Sequence, residues 1–289
     1  MKKLLAILIL ILMLIGATAY YYYVKFIKVA PISDTLRLAS WNIRVFSDGS
    51  RDDTELRQIC QTIMDYDFIA LIELRDENIL KRTEAMMETI GKDYDYQISD
   101  EVGREVKERY AFLYDRSKVK VVEAGQIFPD PDDIFIREPY YATFASGQFD
   151  FTIIAIHVIW GNTVGARREE IKKLADVYEY VQQMNPSEQD VLLVGDFNRE
   201  PDDLKSYGQL RNITSMISLF DLPQKSHVED TSLYDNIWFQ SDHIREYKDI
   251  SGIDRFDETD FGNDDNQAKL AVSDHRPVWA EFRTTQDDD

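Results

Sequence analysis

The stretch Val191-Leu192-Leu193-Val194-Gly195-Asp196-Phe197-Asn198-Arg199-Glu200 decides how the chain is read. Four consecutive apolar residues predict a short strand covered on both faces. The strand runs out at Gly195, and an acid and an amide follow at 196 and 198. Polar groups just past a buried strand sit at the carboxyl edge of a sheet, where α/β folds place their sites. Asp196 and Asn198 are two apart, so both can aim at one point. Taken alone, the stretch reads equally well as a strand followed by an Asx turn. Other segments that end the same way decide the matter.

Upstream, Phe151–His157 is an apolar run closing in a histidine, and Phe68–Glu73 is one closing in a carboxylate. A charged residue at the end of an all-apolar strand requires a partner or a metal. Leu36–Arg44 alternates up to Trp41 and carries Asn42 at its end. Downstream, Tyr234–Phe239 has polar residues at its start, Asp235 and Asn236, and Ser273-Asp274-His275-Arg276-Pro277 precedes a last strand over Val278–Phe282. Tyr94–Ile98 reads as an edge strand. Glu108 stands at the entry of a strand through Tyr114, and further strands are predicted over Val119–Val122 and Arg137–Phe144. Between them lie helical patterns: one capped by Asp53 or Thr54 and running to about Asp65, and others over about Asn78–Ile90 and Ala166–Met184. The stripe Ile171, Leu174, Tyr178 and Val181 on the third is core spacing. A short helix is predicted at Leu204–Gln209 and another near Ile213–Phe220, and loops over Phe128–Asp133 and Asp254–Asn266.

The chain has 289 residues and a formal charge of −20. That charge argues against binding nucleic acid through a basic patch, although carboxylate-rich proteins act on polyanions through bound cations. The single cysteine, Cys60, excludes an internal disulfide and lies in a helical pattern as a core residue.

The first residues differ from the rest. Met1-Lys2-Lys3 is followed by an apolar run from Leu4, and Ala17-Thr18-Ala19 fits a signal-peptidase site. The run extends through Tyr20–Tyr23 and Val24, close to the ~20 residues of a spanning helix, with tyrosines and Lys25 and Lys28 placed as interfacial residues. Either reading sends the chain across a membrane: anchored through residues 4–24, or secreted or periplasmic after cleavage at Ala19. The expected organisation is a signal or anchor at 1–28, a linker at 29–35, one domain at 36–283 and an acidic tail at 284–289.

Collected, the polar residues at strand ends are Asn42, Glu73, His157, Asp196, Asn198, Asp235, Asp274 and His275, joined by Glu108 and Arg137. They supply oxygen ligands for a hard cation such as Mg²⁺, two histidines for general base and acid work, and carboxylates to orient them. With one cysteine a thiolate zinc site is excluded, and no Walker-type phosphate loop is present. His227 and His243 lie in polar segments and receive no role. Arg104 and Lys107 read as solvated charges.

These residues carry a resemblance. Trp41-Asn42-Ile43-Arg44, Ile72-Glu73-Leu74-Arg75-Asp76, Lys107-Glu108-Arg109-Tyr110, Arg137-Glu138-Pro139, Ile156-His157, Gly195-Asp196-Phe197-Asn198, Tyr234-Asp235-Asn236-Ile237 and Ser273-Asp274-His275-Arg276-Pro277 occur in the order found in the endonuclease/exonuclease/phosphatase superfamily. The chain resembles its deoxyribonuclease I branch over about 36–283. The resemblance implies an α/β (α+β) fold, a two-sheet sandwich flanked by helices, and a monomeric, metal-dependent DNA endonuclease. It implies that Glu73 binds Mg²⁺, or Mn²⁺ in its place, with Asn42 and Asp274 close by. Asp196 and Asn198 would hold the scissile phosphate or a second cation. His275, oriented by Asp235, would activate water, and His157, paired with Glu108, would protonate the leaving 3′-oxygen. Arg137 would clamp phosphate and Arg75 would enter the minor groove.

The chain also departs from the pancreatic-type pattern. Val106 stands where a sugar-stacking tyrosine is expected, after a turn at Gly103-Arg104 that is one residue shorter. The threonine-rich calcium loop is reduced to His227–Leu233 and the family disulfide cannot form, which weighs against a structural Ca²⁺. The competing reading keeps the chemistry and changes the substrate to phospholipid head groups or small phosphate esters.

Overall fold

The computed structural model describes residues 34–161 and 163–287. The segment expected as signal or anchor lies outside them. Among the described residues no helix is long and apolar enough to cross a membrane.

The chain runs β1 (Thr35–Phe46), a 3₁₀ turn (Asp48–Ser50), α1 (Asp53–Ile63), β2 (Phe68–Leu74), α2 (Asn78–Thr89), β3 (Tyr94–Ile98), β4 (Arg109–Asp115), β5 (Lys120–Ile127), β6 (Tyr140–Ser146) and β7 (Phe149–His157). It continues with α3 (Val164–Met184), β8 (Val191–Asp196), α4 (Leu204–Asn212), β9 (Met216–Ser218), β10 (Asp235–Gln240), β11 (Tyr247–Ile253), α5 (Phe256–Thr259), α6 (Asp265–Ala271) and β12 (Val278–Arg283). Two six-stranded sheets result, ordered β11-β12-β1-β2-β4-β3 and β5-β6-β7-β8-β10-β9. Each is built on one parallel pair, β1/β2 in the first and β7/β8 in the second, with antiparallel neighbours on either side.

The sheets are apposed through a core in which Leu38, Phe68 and Phe112 of one meet Phe144, Phe151 and Leu192 of the other. Phe68 packs edge-on against Phe144 at 4.8 Å and Phe151 at 5.5 Å, arrangements that suit the ring quadrupoles. Strand alternation sends the next residues outward. Trp41, Ile69 and Leu71 bury against α1 and α2, with Cys60 among them. Ile154, Leu193 and Trp238 bury against α3 and α4, where the predicted stripe Ile171, Leu174, Tyr178 and Val181 faces the sheet. The two-sheet sandwich with outer helices is the fold expected from the sequence.

Several local expectations are corrected. The first cap is Asp52, whose carboxylate accepts from Thr54 and Glu55 while Glu55 returns to the Asp52 amide, a reciprocal box. The helix expected near Ile213–Phe220 is instead β9, paired with β10; Ile213, Thr214 and Ile217 are β-branched and favour the extended form once an edge is available. The Asp254–Asn266 loop contains α5 and the start of α6. Phe256 is buried there, and Asp257 answers the buried Arg276 with contacts of 2.7 and 2.5 Å. Strand β6 begins at Tyr140, leaving Arg137 in the preceding loop.

Candidate active site

Both parallel pairs point their carboxyl ends into one cleft of about 390 Å³. On the first sheet the ladder between β1 and β2 breaks after Asn42/Ile72, and that between β2 and β4 breaks after Leu71. Such bulges re-aim side chains near sites. Here they leave Glu73 at φ 64 and Val45 at φ 47, left-handed values that a β-branched residue rarely adopts. The strained turn brings the Val45 amide onto Glu73 Oε2 at 3.0 Å. The Asn42 amide nitrogen donates to Glu73 Oε1 at 3.3 Å and, across to the other sheet, to Asp196 Oδ2 at 3.0 Å.

On the second sheet Asp196 is the central residue. It pairs with His157 on one side and Asp235 on the other, so three of the residues singled out from the sequence share one row of the sheet. The position before it must be glycine. Gly195 has φ 144, and a Cβ there would stand 2.1 Å from the Ile156 carbonyl oxygen. Past the strand, the Asn198 amide N–H donates to Asp196 Oδ1 at 2.8 Å and its side chain donates to the Val158 carbonyl at 2.7 Å. The loop after β8 is thereby tied to the loop after β7.

Two histidine–carboxylate pairs face Asp196. His157 Nδ1 lies 2.8 Å from Glu108 Oε2, and its Nε2 is 3.6 Å from Asp196 Oδ2 and 4.0 Å from Glu73 Oε1. His275 Nδ1 lies 2.8 Å from Asp235 Oδ2, and its Nε2 is 3.8 Å from the same Asp196 oxygen. In each pair one ring nitrogen meets the orienting acid and the other faces the cleft. Burial alone would raise the Glu108 pKa. The His157 hydrogen bond and the charges of His157, Arg137 and Arg75 prevail and hold it at about 2. Burial likewise would lower that of His275, but Asp235 and Asp196 outweigh it and raise it to about 10.

The turn carrying His275 is anchored by Ser273, whose hydroxyl donates to the Asn42 carbonyl at 2.7 Å and accepts from the Arg44 and His275 amides. The Trp41 indole donates to the His275 carbonyl at 2.7 Å. Arg276 beside it closes on Asp257 and Asp230, and Asp230 also binds Arg255. The reduced loop 227–233 is therefore fastened by ion pairs.

Arg75 and Arg137 reach the site but are engaged with acids. Arg75 Nη2 lies 3.3 Å from Glu108 and 3.5 Å from Glu73, and Arg137 lies 2.8 Å from Glu108. Arg75 is thus drawn in between two acids of the site. Asp274 lines the cleft, with Lys269 at 3.6 Å from its carboxylate.

The oxygen donors fit a hard divalent cation. Glu73, Asn42 and Asp196 converge, and Asn42 Oδ1 is buried with no hydrogen-bond partner. Asp196, Asp235 and His275 also place ligand atoms within 4.8 Å of one another. There Asp235 Oδ2 and His275 Nδ1 hold each other at 2.8 Å, which leaves Asp235 Oδ1, buried and without a hydrogen-bond partner, and His275 Nε2 as the atoms a cation could take. The Glu73 side offers oxygen donors alone, the set a hard cation prefers.

Three cleft residues escaped the sequence reading. His227, given no role above, lies against His275 with ring centroids 4.6 Å apart, and burial, with the His275 charge, lowers its pKa. Trp160 and Tyr234 line the same wall. The available signals were faint: a tryptophan three places after a strand-end histidine, and a tyrosine beside Asp235. Farther back, buried Glu170 on α3 accepts the Ile136 amide at 2.9 Å and the Ile159 amide at 2.8 Å. Nothing in a helical stripe marks such a residue.

The profile of the Endonuclease/Exonuclease/phosphatase family matches residues 39–275. A deoxyribonuclease of Thioalkalivibrio is 29% identical, over 86% of this chain and 71% of its own length. Bovine deoxyribonuclease-1 is 30% identical over 84% of this chain and 91% of its own. Among solved structures, the endonuclease/exonuclease/phosphatase from Bacteroides vulgatus superposes with a TM-score of 0.59 at 18% identity, covering 86% of this chain and 98% of that one.

Proposed function

The chain belongs to the endonuclease/exonuclease/phosphatase family and is a hydrolase of phosphodiesters, and from that premise we propose that it is a divalent-metal-dependent endonuclease acting on DNA. The observation that carries this is the pair of buried dyads, Glu108–His157 and Asp235–His275, facing one another across Asp196 at 3.6 and 3.8 Å. In-line hydrolysis needs a base on one side of the phosphorus and an acid on the other, and the two Nε2 atoms flank a common point. The deoxyribonuclease relatives support DNA as the polymer.

In this mechanism the neutral form of His275, held by Asp235, takes a proton from the attacking water; with its pKa raised to about 10, His275 must first release its own proton to solvent. His157, held by Glu108, gives one to the departing 3′-oxygen. The phosphorus–oxygen bond to that oxygen breaks, leaving a 5′-phosphate and a 3′-hydroxyl. Asn198 and Arg137 orient the phosphate. Asp196 stands between both rings, and its charge favours the imidazolium form of His275. Glu73, Asn42 and Asp196 would hold a divalent cation, which would neutralise charge on the phosphoryl oxygens. Each histidine–carboxylate pair would contribute roughly 10²–10⁴-fold.

The catalytic domain is assigned to 36–283, and the apolar run of residues 4–24 supports an exported enzyme, anchored by that run or released by cleavage after Ala19. Incubation of the purified protein with supercoiled plasmid, with Mg²⁺ and with chelator, tests the function. Nicking only with the cation is the expected result. Turnover of phospholipids or inositol phosphates in a parallel panel, with the plasmid intact, would replace DNA by the competing substrates.

A further inference from the structure

The wall of the cleft beside His275 is aromatic. Trp160 lies 5.8 Å from Tyr234, Tyr234 lies 6.4 Å from His227, and His227 lies 4.6 Å from His275. Three rings outside the two dyads thus lead in an unbroken row to one of the reacting imidazoles. Trp160 is 59% exposed, yet it is no loose surface ring. The Arg167 guanidinium lies over it at 4.9 Å, and Ile159, immediately before it, is fixed by Glu170. A tryptophan held in place with a cation over its ring is a prepared stacking platform.

We propose that Trp160, Tyr234 and His227 form a base-stacking subsite, in which a nucleobase next to the scissile phosphate is taken out of its stack. This rests on the endonuclease reading and adds a substrate class to it: single-stranded, frayed or distorted DNA. Three observations converge. First, the wall opens into the same cleft as His157, Asp196 and His275, so a nucleotide whose phosphate sits between the dyads has its base within reach of these rings. Second, the segment leading into Glu108 offers Val106, 53% exposed, an aliphatic side chain that cannot stack on a base. Third, the chain carries −20 charges. Duplex DNA, with one charge per ~1.7 Å of helix axis, is repelled more strongly than a single strand. Stacking is attractive without positive charge and accepts any base, because every base has a π-face.

The test compares the purified full-length chain with Trp160→Ala and Trp160→Phe on two substrates of equal length: an oligothymidylate, and a chain of tetrahydrofuran abasic units that keeps the phosphates and removes the bases. Trp160→Ala is expected to lower kcat/KM on the oligothymidylate by at least ~10-fold, chiefly through KM, as loss of one stacked base predicts, with a several-fold smaller loss on the abasic chain. Trp160→Phe should recover most of it. Equal losses on both substrates would overturn the subsite while leaving the nuclease reading intact. A binding arm separates the two claims. In a His157→Ala background, oligothymidylate should quench tryptophan fluorescence more than the abasic chain does, and Trp160→Phe should abolish the difference. If neither substrate is cut by the wild type but this quench is present, the endonuclease reading fails and the stacking subsite stands. If there is neither cutting nor a base-dependent quench, both fail.

Discussion

His275 Nδ1 and Asp235 Oδ2 lie 2.8 Å apart, with both residues buried. The folded protein holds the His275 proton up to about pH 10, whereas an ordinary histidine releases it near 6.5. A raised pKa stabilises the fold fully below the unfolded value and loses that contribution as pH rises through the folded one. The metal-free wild type should therefore lose stability between about pH 6.5 and 10. Asp235→Asn should be less stable at pH 6 and approach the wild type toward pH 10. Urea midpoints of both proteins across that range are the measurement, and a constant gap would mean that the dyad does not titrate in this way.

Glu108 gives the opposite sign. Its folded pKa of about 2 lies below the ordinary 4.5, so its contribution is complete above about 4.5 and is lost as pH falls through about 2. Glu108→Gln should be destabilising at pH 6, with the gap narrowing as the medium is acidified below pH 4.5. A gap that widens on acidification would contradict the ion-paired state.

Replacing either cleft imidazole should abolish most of the turnover. His157→Ala and His275→Ala are each expected to lower kcat by at least ~10²-fold; because each leaves a buried carboxylate without its partner, turnover is measured at a temperature where circular dichroism shows the variant folded. A variant that nicks plasmid at near wild-type rate in saturating cation loses its assigned role.

Glu73→Gln keeps the volume and removes the charge that a hard cation seeks. The Mg²⁺ concentration for half-maximal activity should rise. An unchanged titration would transfer the ligand role to Asp274, which lines the same cleft beside Lys269.

Duplex grip is predicted to be weak and steeply dependent on salt, because what remains is attraction between cations and phosphate. Val106→Tyr should restore a stacking contact of ~1–3 kcal/mol, lowering KM for duplex DNA while leaving the cation requirement unchanged. Arg75→Ala should weaken binding further. If both substitutions are silent, DNA does not reach this flank.

The strands that carry the chemistry were legible because they are short, apolar on both faces and end abruptly in polar residues, as Val191–Asp196 and Phe149–His157 do. The motifs then named the dyad members. What escaped obeys other rules. β9 is three residues long and exists only because β10 offers it an edge. α5 and α6 are too short to show a periodic stripe, and they form around the Arg276–Asp257 pair and the Asp264 cap. His227 looked polar and superficial because its neighbours are charged; only the bridge between positions 227 and 275 brings its ring to the cleft. The engagement of Arg75 by Glu73 and Glu108 is equally a product of three dimensions, since those acids lie 2 and 33 positions away.

Glu170 has a consequence of a mechanical kind. One carboxylate, on a single turn of α3, receives the backbone of the segment that carries Arg137 and of the segment that carries Trp160. The two arms of the cleft therefore share one fulcrum. A shift of that helix turn would pull on both segments at once, the one that carries Arg137 and the one that carries Trp160.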